Sequence, residues 1–285
     1  MANTEKALEK LNELIQNART GNIIPFRLTG QLEEIAALLA AQDDAPPTPT
    51  GDIAELLAAQ AKFISVTVHE LRTPMTSIRG YGDMLASGAM GPLNDMQKQF
   101  IETIRTNARR MEGLLQDVSD VGKIRAQALR LSPKMDMFKN IAMVLEKECA
   151  PLAEELHKSL TFDIPQGLPI LDIDGDYLAK AIRKLVDNGL RYSHEDGAVH
   201  LSARGDGNWL VIEVRDNGFG MNPDELSHLG ELYWRSENES VRMHKGSGMG
   251  IPIAFGIIDL LGGRVNVESA PNVGTVFTVR VPGMT

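Results

Sequence analysis

The 285-residue chain has a single cysteine, Cys149, which excludes an intramolecular disulfide and a cysteine-ligated metal cluster. A lone thiol in an apolar helical stretch reads as a small core residue. An excess of positive charge is missing too: 29 lysines and arginines stand against 38 aspartates and glutamates, a formal net charge of −9. That balance excludes a general nucleic-acid surface or an anionic-membrane surface, where cations would predominate. No apolar run reaches the ~18 residues that a bilayer span needs. The best stretch, around Ile251 to Leu261, is broken by Pro252 and Asp259. The opening Met-Ala-Asn-Thr-Glu-Lys carries no signal-peptide pattern, so a cytoplasmic protein without a membrane span is expected. What remains is ordinary globular composition, 43% hydrophobic and 24% charged, at a length that suits two domains.

The chain is organised around residues 63 to 80, FISVTVHELRTPMTSIRG. Apolar or small residues recur at Ile53, Leu57, Ile64, Thr67, Leu71, Ile78, Tyr81 and Leu85 in alternating steps of four and three, with Gln60 and Pro74 filling the two intervening slots. Such a heptad seam asks for a partner helix. His69 lies two positions past Thr67, so helical geometry turns it roughly 200° from the seam, towards solvent. Arg72 and Thr73 share its face at i+3 and i+4, and Glu70 is adjacent. Pro74 frees the carbonyl of Glu70, so a bend is expected one turn after the histidine. After a turn at Ser87–Pro92, a second helix carries Phe100, Ile104, Ala108, Met111, Leu115 and Val118 on one face. Two such hairpins side by side would bury both seams, which predicts a homodimer built on a four-helix bundle.

Upstream, residues 1–44 hold two short amphipathic patterns, Leu8, Leu11, Ile15 and Ala18, then Leu28, Leu32, Ile35 and Leu39. They read as a helical hairpin that packs on its copy, or as the docking place of a sensor. A proline-rich linker at 45–51 separates them from the helical hairpin at 52–128. From 133 to 285 helical and strand patterns interleave. Helices are expected at 136–157, at 176–192 and from about Gly248 to Gly262. Strands are expected around Leu160–Ile164, Val199–Ala203, Leu210–Val214, Arg264–Glu268 and Thr275–Val281. A single sheet covered by helices on one face accounts for this order.

Four local signals fall in this second domain. Ala181, Leu185, Asn188 and Tyr192 form one stripe, which leaves Asn188 as an amide at the edge of a core-facing row. Such an amide needs a partner, and a hard metal ion bound to phosphates is one, as an ordinary cap or turn is another. Lys184 and Arg191 flank it with positive charge. Asp216-Asn-Gly-Phe-Gly220 follows a strand. Asp-Asn-Gly is a good hairpin turn; in the functional reading the Asp216 carboxylate accepts from an exocyclic amino group, and Gly218 and Gly220 let the backbone approach a base. Gly246-Ser-Gly-Met-Gly250 opens a helix with Pro252 in its first turn, so Gly246, Gly248 and Gly250 offer unhindered N–H groups to phosphate. Residues 221–245 are polar and include Arg235, Arg242, His244 and Lys245, which read as a mobile lid with cations for a γ-phosphate.

In this order the motifs resemble the sensor histidine kinases over about residues 60–283. His69-Glu-Leu-Arg-Thr-Pro74 resembles their phosphoacceptor box, and the Asn188 helix, Asp216-x-Gly-x-Gly, the lid, Gly246-x-Gly-x-Gly and Gly274-Thr275 resemble their catalytic domain, shared with gyrase and chaperone ATPases. The implied fold is α plus α/β: a dimeric four-helix bundle followed by an α/β sandwich of the Bergerat (GHKL ATPase) type. The resemblance implies ATP and Mg2+ as ligands, with Asn188 holding Mg2+, Asp216 reading adenine, and Arg191 and Tyr192 touching phosphate and the adenosine end. Gly218, Gly220, Arg235, Lys245, Gly246, Gly248, Gly250 and Thr275 complete the implied nucleotide site. It further implies that His69 takes a phosphoryl group from ATP with Glu70 as base and hands it to an aspartate of a response regulator. Thr73 would orient water for reverse phosphatase activity, and input would reach residues 1–60 from a separate sensor protein. Departures from the family pattern are Lys184 for a usual Asn, Gly189 for a usual Ala, Gly230 for the first aromatic of a lid box otherwise carried by Tyr233, Trp234 and Arg235, and Val68 for a usual Ser. The alternatives are a dimeric scaffold or phosphatase-biased protein that binds Mg-ATP, and a gyrase- or chaperone-type ATPase. The intact histidine box and the absence of a catalytic Glu at position 184 speak against the ATPase.

Overall fold

The structure is a computed structural model that describes residues 50–284 except Lys245, with side chains from residue 59 onward. The helices expected within 1–44 and the first part of the 45–51 linker lie outside the described residues, as does Lys245. The chain divides into two compact units, one spanning Pro47–Leu129 and the other containing Arg130–Thr285.

The first unit is a helical hairpin. Helix α1 (Thr50–Ala86) starts two residues before Asp52, so Thr50 and Gly51, assigned to the linker on sequence, are helical backbone. Helix α2 (Asp95–Arg125) is opened by a reciprocal cap: Asn94 Oδ1 accepts from the Gln97 amide and Gln97 Oε1 accepts from the Asn94 amide, each at 2.9 Å. Between the helices lie Val68, Met75 and Ala108, all buried. Polar rungs flank this row, with Arg79 donating to Glu112 at 2.8 Å and Arg105 to Asp83 at 2.7 Å. The contact within the hairpin therefore uses mainly the stripe beside the heptad seam, with Ile64 of the seam lying against Gly122 of α2. Leu71 and Ile78 remain 46% and 45% exposed on the single chain, and Tyr81, Phe100, Ile104 and Met111 are exposed with them. The side chains of Ile53 and Leu57 lie outside the described residues.

In the second unit, β2 (Ser159–Asp163), β4 (Ala198–Asp206), β5 (Trp209–Asp216), β6 (Arg264–Ala270) and β7 (Gly274–Pro282) form a five-stranded sheet ordered β2-β4-β5-β7-β6. The β2–β4 pair is parallel and the others are antiparallel. Val199, Leu201 and Ala203 of β4, Leu210, Ile212 and Val214 of β5, and Phe277, Val279 and Val281 of β7 are buried, as period-two alternation requires of a sheet with one packed face. Helices α3 (Phe138–Glu155), α4 (Gly175–Arg191) and α7 (Gly250–Leu260) pack together, α4 against β4 and β5. Leu178, Ile182, Leu185 and Leu190 give α4 a buried stripe, and the Asp174 carboxylate caps its first turn by accepting from the Tyr177 amide at 3.2 Å. Cys149 is buried in α3, where burial pushes its thiol up to about 12, so it behaves as a packing residue.

The expectation of one sheet is corrected. Residues Lys134–Met137 (β1) and Ile170–Ile173 (β3) pair antiparallel as a separate two-stranded sheet. Both strands have four residues; β1 alternates charge with methionine and lacks β-branched residues, and β3, Ile-Leu-Asp-Ile, is too short to show a period. The stretch read as a lid also holds two short helices, α5 (Pro223–Ser227) and α6 (Glu239–Met243).

Candidate functional site

On α1, His69 follows buried Val68 by one position, which turns its imidazole about 100° from the hairpin contact. Its side chain is 76% exposed, and Nδ1 lies 3.6 Å from Glu70 Oε1. Arg72 donates to Gln116 of α2 at 3.1 Å, which ties the face carrying His69 to the second helix. The helix runs through Pro74 unbroken. The hydroxyls of Thr76 and Ser77 bond the carbonyls of Arg72 and Thr73, at 2.9 and 3.3 Å, as is common where a helix bends. Thr73 is exposed on the turn after the histidine.

In the second unit the ends of α4, β5 and β7 meet. Asp216, the last residue of β5, has Oδ1 occupied by two backbone donors, Gly218 at 2.9 Å and Thr275 at 3.1 Å. Its other oxygen, Oδ2, is the one available to a ligand. Burial raises the carboxyl to about 6, opposed by those two hydrogen bonds. Gly189 of α4 packs directly on this side chain. A Cβ there would lie 3.0 Å from Val199 Cγ2 and 3.2 Å from Asp216 Cβ, which gives the departure from alanine a steric reason. Tyr192 caps α4, its amide donating to the Asn188 carbonyl at 3.0 Å and its own carbonyl accepting from the Phe219 amide at 3.0 Å. Ser193 pairs with Gly218 across the same junction.

The glycines of the Asp216 loop permit close approach of backbone to backbone. A Cβ on Gly218 would lie 2.3 Å from the Tyr192 carbonyl oxygen, and one on Gly220 (φ 61) would lie 1.9 Å from the Ala270 carbonyl oxygen. They let backbone meet backbone, so the loop is fixed between α4 and the β6–β7 connection. Thr275 is buried, with its hydroxyl 3.0 Å from that of Ser269.

Asn188 is half-buried one turn before Tyr192, and Lys184 one turn earlier lays its stem beside Gly250, the first residue of α7. This edge of α4 and the N-terminus of α7 thus share one side. Gly248 (φ 68) accepts from the Tyr233 amide at 3.1 Å, and Gly246 lies against the Tyr192 hydroxyl and the Arg235 guanidinium. Among the described residues no cluster of three or more His, Cys, Asp or Glu could hold a metal. The polar group that α4 offers on this side is the Asn188 amide, a neutral oxygen donor of the kind a hard cation accepts.

Two of the expected phosphate cations flank this side. Arg191 is exposed at the end of α4. Arg235 is turned into the lid, where Nη2 donates to the carbonyls of Val241, at 2.9 Å, and His244. Where the lid box lacks its first aromatic, Gly230 lies against the Phe255 ring of α7, and Trp234 stacks on His228 at 5.6 Å.

Three rings gather beside this junction: His244, read on sequence among the lid cations, Phe219 of the Asp216 loop, and His194, which sequence reasoning passed over. The His244 ring lies 5.9 Å from that of Tyr192 and 6.3 Å from that of Phe219, and the His194 ring meets Phe219 edge-on at 4.9 Å. Burial first, then the charges of Lys158, Arg191 and Arg235, hold His244 below the usual histidine range. These rings come from separate stretches of chain, so no local spacing marks them.

With this geometry in hand, residues 59–127 match the family model of the His Kinase A (phospho-acceptor) domain. Residues 173–284 match that of the histidine kinase-, DNA gyrase B- and HSP90-like ATPase. An uncharacterised sensor-like histidine kinase of Rhizobium meliloti is 28% identical over 79% of this chain and 43% of its own. The histidine protein kinase DivJ of Caulobacter vibrioides is also 28% identical, over 91% of this chain and 43% of its own. The crystal structure of full-length ShkA in complex with AMPPNP superposes with a TM-score of 0.66 at 23% identity, covering 79% of this chain and 46% of that one, a likeness of fold. The chain spans less than half the length of these relatives.

Proposed function

The chain belongs to the sensor histidine kinases, and on that premise we propose that His69 takes the γ-phosphoryl group of ATP and passes it to an aspartate of a response regulator. The observation that carries this reading is an imidazole 76% exposed with a carboxylate 3.6 Å from one ring nitrogen, in a chain that also holds the Asp216–Thr275 nucleotide pocket. One imidazole nitrogen attacks the γ-phosphorus, the bond to the bridging oxygen breaks, and ADP leaves. Glu70 accepts the proton from the other nitrogen. Asp216 receives the adenine amino group on Oδ2. Asn188, Lys184 and the N-terminus of α7 face the phosphates, and Mg2+ bound there would neutralise charge on the transferring group. Lys184 offers no general base for water, which supports transfer to a side chain over hydrolysis.

The exposed stripe of Leu71, Ile78, Tyr81, Phe100, Ile104 and Met111 supports a homodimer, because so long an apolar row is rarely left wet. Thr73, exposed one turn from His69, supports a water-orienting role in reverse phosphatase activity. The reading is completed by a cytoplasmic kinase that takes its signal through residues 1–60 from another protein; among the described residues no helix is long and apolar enough to cross a membrane. Rapid mixing with Mg-ATP distinguishes kinase from ATPase. A burst of ADP limited to the concentration of chains is expected, whereas sustained turnover without a receiver domain would contradict the reading.

A further inference from the structure

Lys158 sits between α3 and β2, directly after His157, whose φ of 55 turns the chain. Its ammonium spends all three donors on one segment: the Ser193 carbonyl at 2.6 Å, the Ser193 hydroxyl at 3.1 Å and the His194 carbonyl at 2.7 Å. That segment follows the C-terminal end of α4, where carbonyls lack helical partners and the dipole favours a cation. Ser193 is itself buried and donates back to the Leu190 carbonyl at 3.2 Å, so lysine and helix end form one closed set.

The same segment is one wall of the nucleotide pocket. Tyr192 accepts from the Phe219 amide at 3.0 Å, Ser193 pairs with Gly218, and Gly218 donates to Asp216 Oδ1 at 2.9 Å. The His194 ring braces Phe219 at 4.9 Å. The lysine thus holds Ser193 and His194, the adjoining Tyr192 carbonyl takes the Phe219 amide, and Gly218, next to Phe219, donates to the carboxylate. Burial lowers the lysine from its usual range, opposed by the charge of Glu195.

We propose that Lys158 is a positioning residue for purine selection: by clamping Ser193 and His194 it fixes the loop that aims Asp216 Oδ2 at the exocyclic amino group of adenine. This rests on the reading of Asp216 as the adenine reader. Losing the clamp leaves α4 and the sheet intact but lets the 192–194 segment and the Gly218 loop drift, and directional hydrogen bonding suffers before phosphate binding does.

The test is calorimetric binding of ATP and of inosine triphosphate, which carries a carbonyl in place of the amino group, to wild type and Lys158→Met. The methionine keeps the apolar stem and removes the donors. Wild type should prefer ATP. Lys158→Met should lose about tenfold in ATP affinity, in line with losing charged hydrogen bonds, while inosine triphosphate binding changes by less than about threefold, so the preference collapses. Equal losses for both nucleotides would make Lys158 merely structural, and an unchanged ATP affinity would remove it from the pocket; either overturns the proposal. A wild type without preference would refute the Asp216 reading and the proposal with it, an outcome distinct from failure of the variant alone. If far-ultraviolet circular dichroism shows that Lys158→Met does not fold, Lys158→Gln, which keeps two donors on a shorter stem, is measured against the same criteria.

Discussion

The backbone amide of Thr275 donates to Asp216 Oδ1 at 3.1 Å, joining the start of β7 to the end of β5 across 59 positions of sequence. One oxygen of the carboxylate is thereby structural and the other is left for the nucleotide. The two roles separate by mutation. Asp216→Asn can keep its oxygen on the Gly218 and Thr275 amides but turns an NH2 towards the base, so it should fold and bind ATP at least tenfold more weakly. Asp216→Ala also leaves two amides without their acceptor and should cost a further ~1–3 kcal/mol of stability. Thermal unfolding beside ATP titration checks both.

The pH dependence follows from burial. Asp216 titrates at about 6 in the folded chain against an ordinary value of 3.8. Between those values the folded state holds the proton more readily than the unfolded state. The contribution of Asp216 to stability is therefore fully present below about 3.8 and is lost as pH rises through about 6. Binding runs the other way. The protonated carboxyl presents a hydroxyl to the adenine amino group, so the preference for ATP over inosine triphosphate should shrink as pH falls through about 6 and should stay flat in Asp216→Asn.

On the helical hairpin, two neighbouring stripes should respond differently. Leu71→Asp or Ile78→Asp places a charge on the exposed row and should shift the protein from dimer to monomer in light scattering while the helical signal persists. Met75→Ala empties a buried position between α1 and α2 and should lower stability by about 2–5 kcal/mol.

Gly189 weakens α4 locally, since alanine would be favoured there by about 1 kcal/mol. A Cβ at this position would nonetheless meet Val199 at 3.0 Å and Asp216 at 3.2 Å. Gly189→Ala should therefore weaken ATP binding by displacing Asp216, and Val199→Ala in the same chain should restore much of it. Loss of affinity that the second change leaves untouched would place the strain elsewhere.

Sequence pattern read the phase of α1 well, because a heptad row and a histidine two positions off it fix which way the imidazole faces. It read the row as what two hairpins bury together; the contact within one hairpin, made by Val68 and Met75 while Leu71 and Ile78 stay exposed, was not read. Strands β1 and β3 were not legible, being four residues each and separated in sequence from the partner they pair with. Helix α5 was within reach, since Asn222 and Glu225 form a capping box around Pro223. The role of Lys158 was not, because its acceptors lie 35 and 36 positions away. Arg235 reads as a lid cation by composition, but its bonds to the carbonyls of Val241 and His244 were not legible there.

The central claim is that His69 carries the phosphoryl group. Incubation with Mg2+ and ATP labelled on the γ-phosphate should label the wild-type chain with phosphate that is lost in acid and retained in base. His69→Gln and Asn188→Ala should both remain unlabelled, the first without its acceptor and the second without metal–nucleotide binding. Label that persists in His69→Gln, or that survives acid in the wild type, would contradict the account.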